Sequence, residues 1–118
     1  MVKVVIGRSV GGFQLSERAI SYLEETGKFS ELSEFGYYID PNTGEYSEIA
    51  RHDPDLVRCV EKLGEEAGNG LEVKTLEGKQ YLVQSNETGM EWVYTPLSIL
   101  EQEWITSEYG DEEYGGTN

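Results

Sequence analysis

The segment Val2-Lys3-Val4-Val5-Ile6 does most to limit what this chain can become, because it is β-branched, apolar on both faces and followed at once by Gly7. Such a run reads as a strand, and two apolar faces place it centrally in a sheet rather than at its rim. Gly7-Arg8-Ser9-Val10-Gly11-Gly12-Phe13-Gln14-Leu15 then leads into a helix capped by Ser16, with Glu17 in its first turn and Ala19, Ile20 and Leu23 on one face. Leu15 and Ile20 hold the two positions of a hydrophobic staple, and Gly27 is placed to close the helix.

Further along, Tyr37-Tyr38-Ile39, Asp40-Pro41-Asn42-Thr43-Gly44 and Glu45-Tyr46 carry the turn chemistry of a hairpin, with a mobile surface loop as the alternative. Arg51-His52-Asp53-Pro54-Asp55 opens a second helix: Asp53 caps it, Pro54 is preset for the first helical position, and Leu56, Cys59, Val60 and Leu63 form one face. Segments 71–75, 80–84 and 90–94 alternate between apolar and polar, with turns at Glu77-Gly78-Lys79 and Asn86-Glu87-Thr88-Gly89, which predicts a three-stranded antiparallel meander. Thr95-Pro96 begins a short helix or turn. The expected fold is α+β, with two main helices on one face of a mostly antiparallel sheet of about four to six strands. Residues 1–106 form the single domain of this reading, and 107–118 an acidic disordered tail.

Charge narrows the partners. The chain has 23 acids and nine bases, and every base lies within residues 1–79, whereas 80–118 hold eight acids and none. This balance opposes nucleic-acid phosphates and anionic membrane surfaces and favours a basic macromolecule. No stretch approaches the roughly 20 apolar residues of a membrane-spanning helix, and nothing at the N-terminus directs export, so a cytoplasmic location is expected.

Candidate chemistry is sparse. A single histidine, His52, and a single cysteine, Cys59, remove the usual zinc sites, and neither has the partners of a nucleophilic triad. Neither catalytic residues, nor a metal, nor a cofactor is expected. The glycines of 7–12 match neither G-x-G-x-x-G nor the Walker pattern, but a strand, a glycine-rich turn and a helix in succession can bind an anion, with Arg8 and Arg51 as bidentate phosphate ligands. The plainer role for these glycines is in turns, and for these arginines in holding carboxylates.

Three segments carry a resemblance: Val5-Ile6-Gly7-Arg8-Ser9-Val10-Gly11-Gly12-Phe13-Gln14-Leu15-Ser16, then Arg51-His52-Asp53-Pro54-Asp55-Leu56-Val57-Arg58-Cys59-Val60-Glu61-Lys62-Leu63-Gly64, then Thr88-Gly89-Met90-Glu91-Trp92-Val93-Tyr94-Thr95-Pro96. Together they resemble a group of small uncharacterised proteins of tailed bacteriophages, prophages and some large DNA viruses, with agreement in order and spacing over about two-thirds of the chain. Gly7 stands where that group has Asn, and Thr88 where it has Asp. The resemblance implies a viral origin and a host-cell cytoplasm. It transfers no functional residue, only an interest in Arg8, Gly11, Gly12, Arg51 and Asp53.

Two functions fit. In the first, a non-catalytic phage accessory protein inhibits host nucleic-acid-handling or defence machinery, in the manner of an anti-CRISPR protein or DNA mimic. It presents carboxylates to a host protein with a basic surface, as a duplex would with one charge per ~1.7 Å of axis. Its carriers are Glu87, Glu91, Glu101 and Glu103, with Trp92 and Tyr94 as anchors. In the alternative, the chain binds a phosphorylated nucleotide signal through Arg8, Gly11, Gly12, Arg51 and Asp53, with Tyr37 or Tyr38 stacked on the base in a homo-oligomeric pocket.

Overall fold

The computed structural model of the protein describes residues 1–96. Glu101, Glu103, the tail expected over 107–118, the domain end expected at 106 and most of the segment begun by Thr95-Pro96 lie outside the described residues.

The elements are β1 (Val2–Gly7), α1 (Glu17–Glu24), β2 (Tyr37–Ile39), β3 (Tyr46–Glu48), α2 (Pro54–Leu63), a 3-10 turn (Gly64–Ala67), β4 (Leu71–Leu76), β5 (Leu82–Ser85) and β6 (Glu91–Tyr94). The fold is α+β. Both helices begin where their caps predict: Ser16 Oγ accepts from the Ala19 N–H at 3.1 Å, and Asp53 Oδ1 from the Asp55 N–H at 2.8 Å. Each cap satisfies a donor that the first helical turn cannot pair internally. Beyond α1, the Gly27 N–H donates to the Glu24 carbonyl at 3.1 Å and turns the chain away.

The sheet differs from the expected one. Among the described residues there are three separate antiparallel pairs, β1 with β4, β2 with β3 and β5 with β6, in place of one sheet containing a meander. β4 leaves β5 and runs beside β1, from Val2 opposite Leu76 to Gly7 opposite Leu71. Burial explains the choice. β4 packs the partly buried Leu71 and Val73 against the core, whereas no residue of β5 packs there and Leu82 is 45% exposed. Apolar area removed from water is the larger gain, and short connections alone do not outweigh it.

Val4, Val5 and Ile6 of β1 are at most 1% exposed. Val5 joins Leu23, Leu56 and Cys59 in the main core, with Phe13, Phe29, Leu32 and Ile49 supplied by the connecting segments. α2 lies against β1 and β4, and α1 against α2 and the 3-10 turn. Truncating a residue such as the fully buried Leu56 to alanine would cost about 2–5 kcal/mol through lost transfer energy and the cavity left behind.

Candidate functional site

The three segments that carry the resemblance meet at the edge of β1 that β4 does not cover. There the Val5 N–H donates to the Arg51 carbonyl at 2.9 Å, and the Val5 carbonyl accepts from Arg51 Nη1 at 3.2 Å. Two residues on, the Gly7 N–H donates to Glu91 Oε1 at 2.8 Å. A loop and two side chains thus satisfy groups that a neighbouring strand would otherwise pair, and β1 attains its interior position by this route.

Arg51 and Glu91 form a two-pronged pair: Nη1 donates to Oε1 at 2.6 Å and Nη2 to Oε2 at 2.8 Å. Their side chains are 16% and 10% exposed. The Arg51 guanidinium also lies 4.1 Å from the centre of the Phe13 ring, so the ring face and the carboxylate fork together fix the cation's place. Burial pushes the Glu91 carboxyl upward, but hydrogen bonds from Arg51 and the Gly7 amide, reinforced by the Arg51 charge, outweigh it and hold the carboxyl below its ordinary value.

The glycines serve close approach. The Gly11 N–H donates to the Thr88 carbonyl at 2.7 Å, and a Cβ on Gly12 would stand 2.6 Å from the Gly89 oxygen. One on Gly89 would in turn meet the Gly11 backbone at 2.9 Å. Asn86 shapes the facing turn, its Oδ1 accepting from the Thr88 and Met90 N–H groups at 3.0 and 3.1 Å. Four amides of the loop are already donated: Gly7 to Glu91, Arg8 to the Gly70 carbonyl, Gly11 to Thr88 and Gly12 to Ser9.

Arg8 and Arg51 do come together, as expected, but on Glu91. Arg8 Nη1 donates to the Glu91 carbonyl at 2.8 Å, with the guanidinium 5.5 Å from the centre of the Trp92 ring. Asp53 caps α2 and pairs with Lys28 at 3.1 Å. Glu91, expected at the surface, is only 8% exposed and faces inward, because its carboxylate has the Arg51 fork and the Gly7 amide to satisfy. Glu87 is exposed, Trp92 37% exposed and Tyr94 half-buried. An open cleft of about 430 Å³, lined by Ala50, Arg51, Val83, Gln84, Ser85 and Glu91 among others, borders the ion pair.

Elsewhere, His52 Nδ1 is 2.6 Å from the Tyr81 hydroxyl. Cys59 is fully buried, and desolvation raises its thiol to about 11, so it stays protonated and unreactive. Among the described residues no group of three His, Cys, Asp or Glu is placed to hold a metal ion, and no helix is long and apolar enough to cross a membrane.

The pairing of Glu91 with Arg51 escaped the sequence reading. The signal was its setting: an acid between Met90 and Trp92, in a strand whose other residues are apolar or aromatic. An acid on the inward face of such a strand needs a cation, though nothing local tells which of nine it takes. No family model matches this chain, and no curated protein or solved structure is significantly similar to it.

Proposed function

We propose that this is a non-catalytic accessory protein, of the bacteriophage kind its motifs resemble, which binds and inhibits host nucleic-acid-handling or defence machinery through an acidic surface. The observation that carries the reading is the fate of its cations. Lys3, Arg18, Lys28, Arg51, Arg58 and Lys74 each hold a carboxylate, which leaves Arg8, bonded to the neutral Glu91 carbonyl, with Lys62 and Lys79. Little positive charge remains to offset the surplus acids of a chain with net charge −14, and the field it projects is negative. A basic channel that ordinarily receives nucleic acid is the complementary partner. Glu87, Trp92 and Tyr94 belong to this surface, and Glu91 supports it from within through Arg51; Glu101 and Glu103, outside the described residues, are further proposed carriers of the charge.

The nucleotide reading rests on the cleft beside Arg51. It requires a phosphate to displace Glu91 from the guanidinium, and Arg8 to leave the Glu91 carbonyl.

The test is affinity capture from host lysate at low and high salt, with duplex DNA as competitor and mass spectrometry of what is held. The expected result is a basic nucleic-acid-binding protein, retained at low salt and released by salt or by DNA. Capture of no such protein, with a nucleotide freed on denaturing the purified material, would overturn the reading in favour of the nucleotide ligand.

A further inference from the structure

The β2–β3 hairpin presents an outer face unlike an ordinary solvated sheet. Its register sets Tyr37 opposite Glu48 and Ile39 opposite Tyr46, so these four side chains share one face while Tyr38 and Ser47 share the other. Tyr38 turns inward and meets the buried Phe29 ring edge-on at 4.7 Å. Tyr37 and Tyr46 turn outward and stack on each other, 5.7 Å between centres and 5° from parallel. Tyr46 is 73% exposed, and Phe35 nearby is 48% exposed.

The face is also held in shape. Ser30 and Ile39 exchange two backbone hydrogen bonds, of 3.0 and 2.8 Å, that fasten the hairpin to the body. At the tip, Asp40 Oδ1 accepts from the Asn42 N–H at 2.7 Å and the Asp40 carbonyl from the Gly44 N–H at 2.8 Å. An ordered aromatic face loses little freedom when a partner settles on it.

Its charge indicates what would settle there. Residues 29–50 contain five acids and no base. Every ion pair among the described residues lies outside this stretch. Glu48, opposite Tyr37 on the outer face, therefore stands beside the rings without a cation. Exposed aromatic rings attract a cation lying over their faces, and an arginine can stack its plane on a ring while its fork reaches a carboxylate. Lysine offers a point charge with no plane to stack.

We infer that the outer face of the β2–β3 hairpin is a docking surface for an arginine-bearing segment of a basic protein, seated on Tyr37 and Tyr46 and paired with Glu48. This rests on the acidic-surface reading for the sign of the partner and moves the principal contact from residues 80–118 to the hairpin.

The experiment is a titration of the full-length protein, labelled with nitrogen-15, with an oligo-arginine peptide and a matched oligo-lysine peptide. The expected result is movement of the Tyr37, Tyr46, Ser47 and Glu48 amide signals, with arginine the tighter ligand. Replacing both rings, Tyr37→Ala with Tyr46→Ala, should weaken binding about tenfold, the scale of two exposed cation–ring contacts, with no change in the circular dichroism of the fold. Signals that move only within residues 80–118 would overturn the hairpin inference and leave the acidic-surface reading standing. An absence of arginine binding at low salt would overturn both.

Discussion

Around Arg51 and Glu91 the polar groups face each other, and the backbones of two loops touch because glycines leave room for them. The β2–β3 hairpin is built the other way: Tyr37 and Tyr46 stack on each other in solvent, and Glu48 on the same face has no cation. Gly, Arg, Asp and Glu in short motifs suggest a ligand site, yet here Gly12, Arg51 and Glu91 answer to neighbouring loops and to β1, and Asp53 to its own helix and Lys28. The hairpin, with no motif, holds the groups still free to engage something else. Motif-like residue types mark positions where geometry is demanding, and the demand can come from the chain itself.

The sharpest way to break this contrast is to remove Glu91. Glu91→Ala would strand the Arg51 guanidinium, 16% exposed and stacked on Phe13, with no anion beside it. The expected loss is about 3–5 kcal/mol of unfolding free energy, read from urea denaturation. Arg51→Ala should cost a similar amount, and the double variant less than the sum of the two. A loss under about 1 kcal/mol would mean that the pair is peripheral and its carboxylate available to a ligand.

A paired glycine experiment sharpens the same point. Gly12 and Gly44 both have φ +76°, but a Cβ on Gly12 would meet the Gly89 oxygen at 2.6 Å while one on Gly44 would meet nothing within 4 Å. Gly44→Ala should therefore cost about 1–2 kcal/mol, the penalty for a left-handed residue alone. Gly12→Ala should cost about 1–3 kcal/mol more, because two backbones must separate. Equal losses in thermal or urea unfolding would show that the loop contact is slack.

What the sequence made legible follows from how local each signal is. Ser16 and Asp53 cap helices through atoms two or three residues away, and the Asp40 to Gly44 turn closes on itself, so all three could be read directly. β4 could not, because alternation in 71–75 marks a strand but does not name its partner, and the apolar surface of β1 was the deciding bid. The glycine loop was visible, but its two readings differ only in what faces it, and the facing turn lies some 77 residues on, from Gly12 to Gly89. Glu91 was misplaced for the same reason: at the surface of an acidic chain a carboxylate is unremarkable, and only the fold brings Arg51 to it.

Acid should separate the two regions more gently than mutation. Folded Glu91 is held below its ordinary value of 4.5, so the unfolded chain takes up a proton that the folded one resists. Its contribution is present above that value and is lost as pH falls through the folded pKa. Urea midpoints between neutral pH and about pH 3 should thus fall further in the wild type than in Glu91→Gln, the stability gap between them narrowing as acid is added. Asp55, also held low by Lys28 and Arg58, titrates in both proteins and cancels in the comparison. A gap that stays constant across the range would mean that Glu91 owes its stabilising role to shape rather than charge.

The smallest expected effect lies on the hairpin. Tyr46 is 73% exposed, and its described ring contact is the stack on Tyr37. Tyr46→Ala should therefore change unfolding free energy by no more than about 0.5 kcal/mol, the usual range for a surface site without special geometry. A larger loss would mean that the Tyr37–Tyr46 stack closes the hairpin in the way that Arg51–Glu91 closes β1, and the two regions would then share one logic. A loss within that range leaves a stacked pair of rings in water that the fold does not require, beside a carboxylate with no cation, and it is this surplus that distinguishes a surface kept for a partner from one kept for the protein itself.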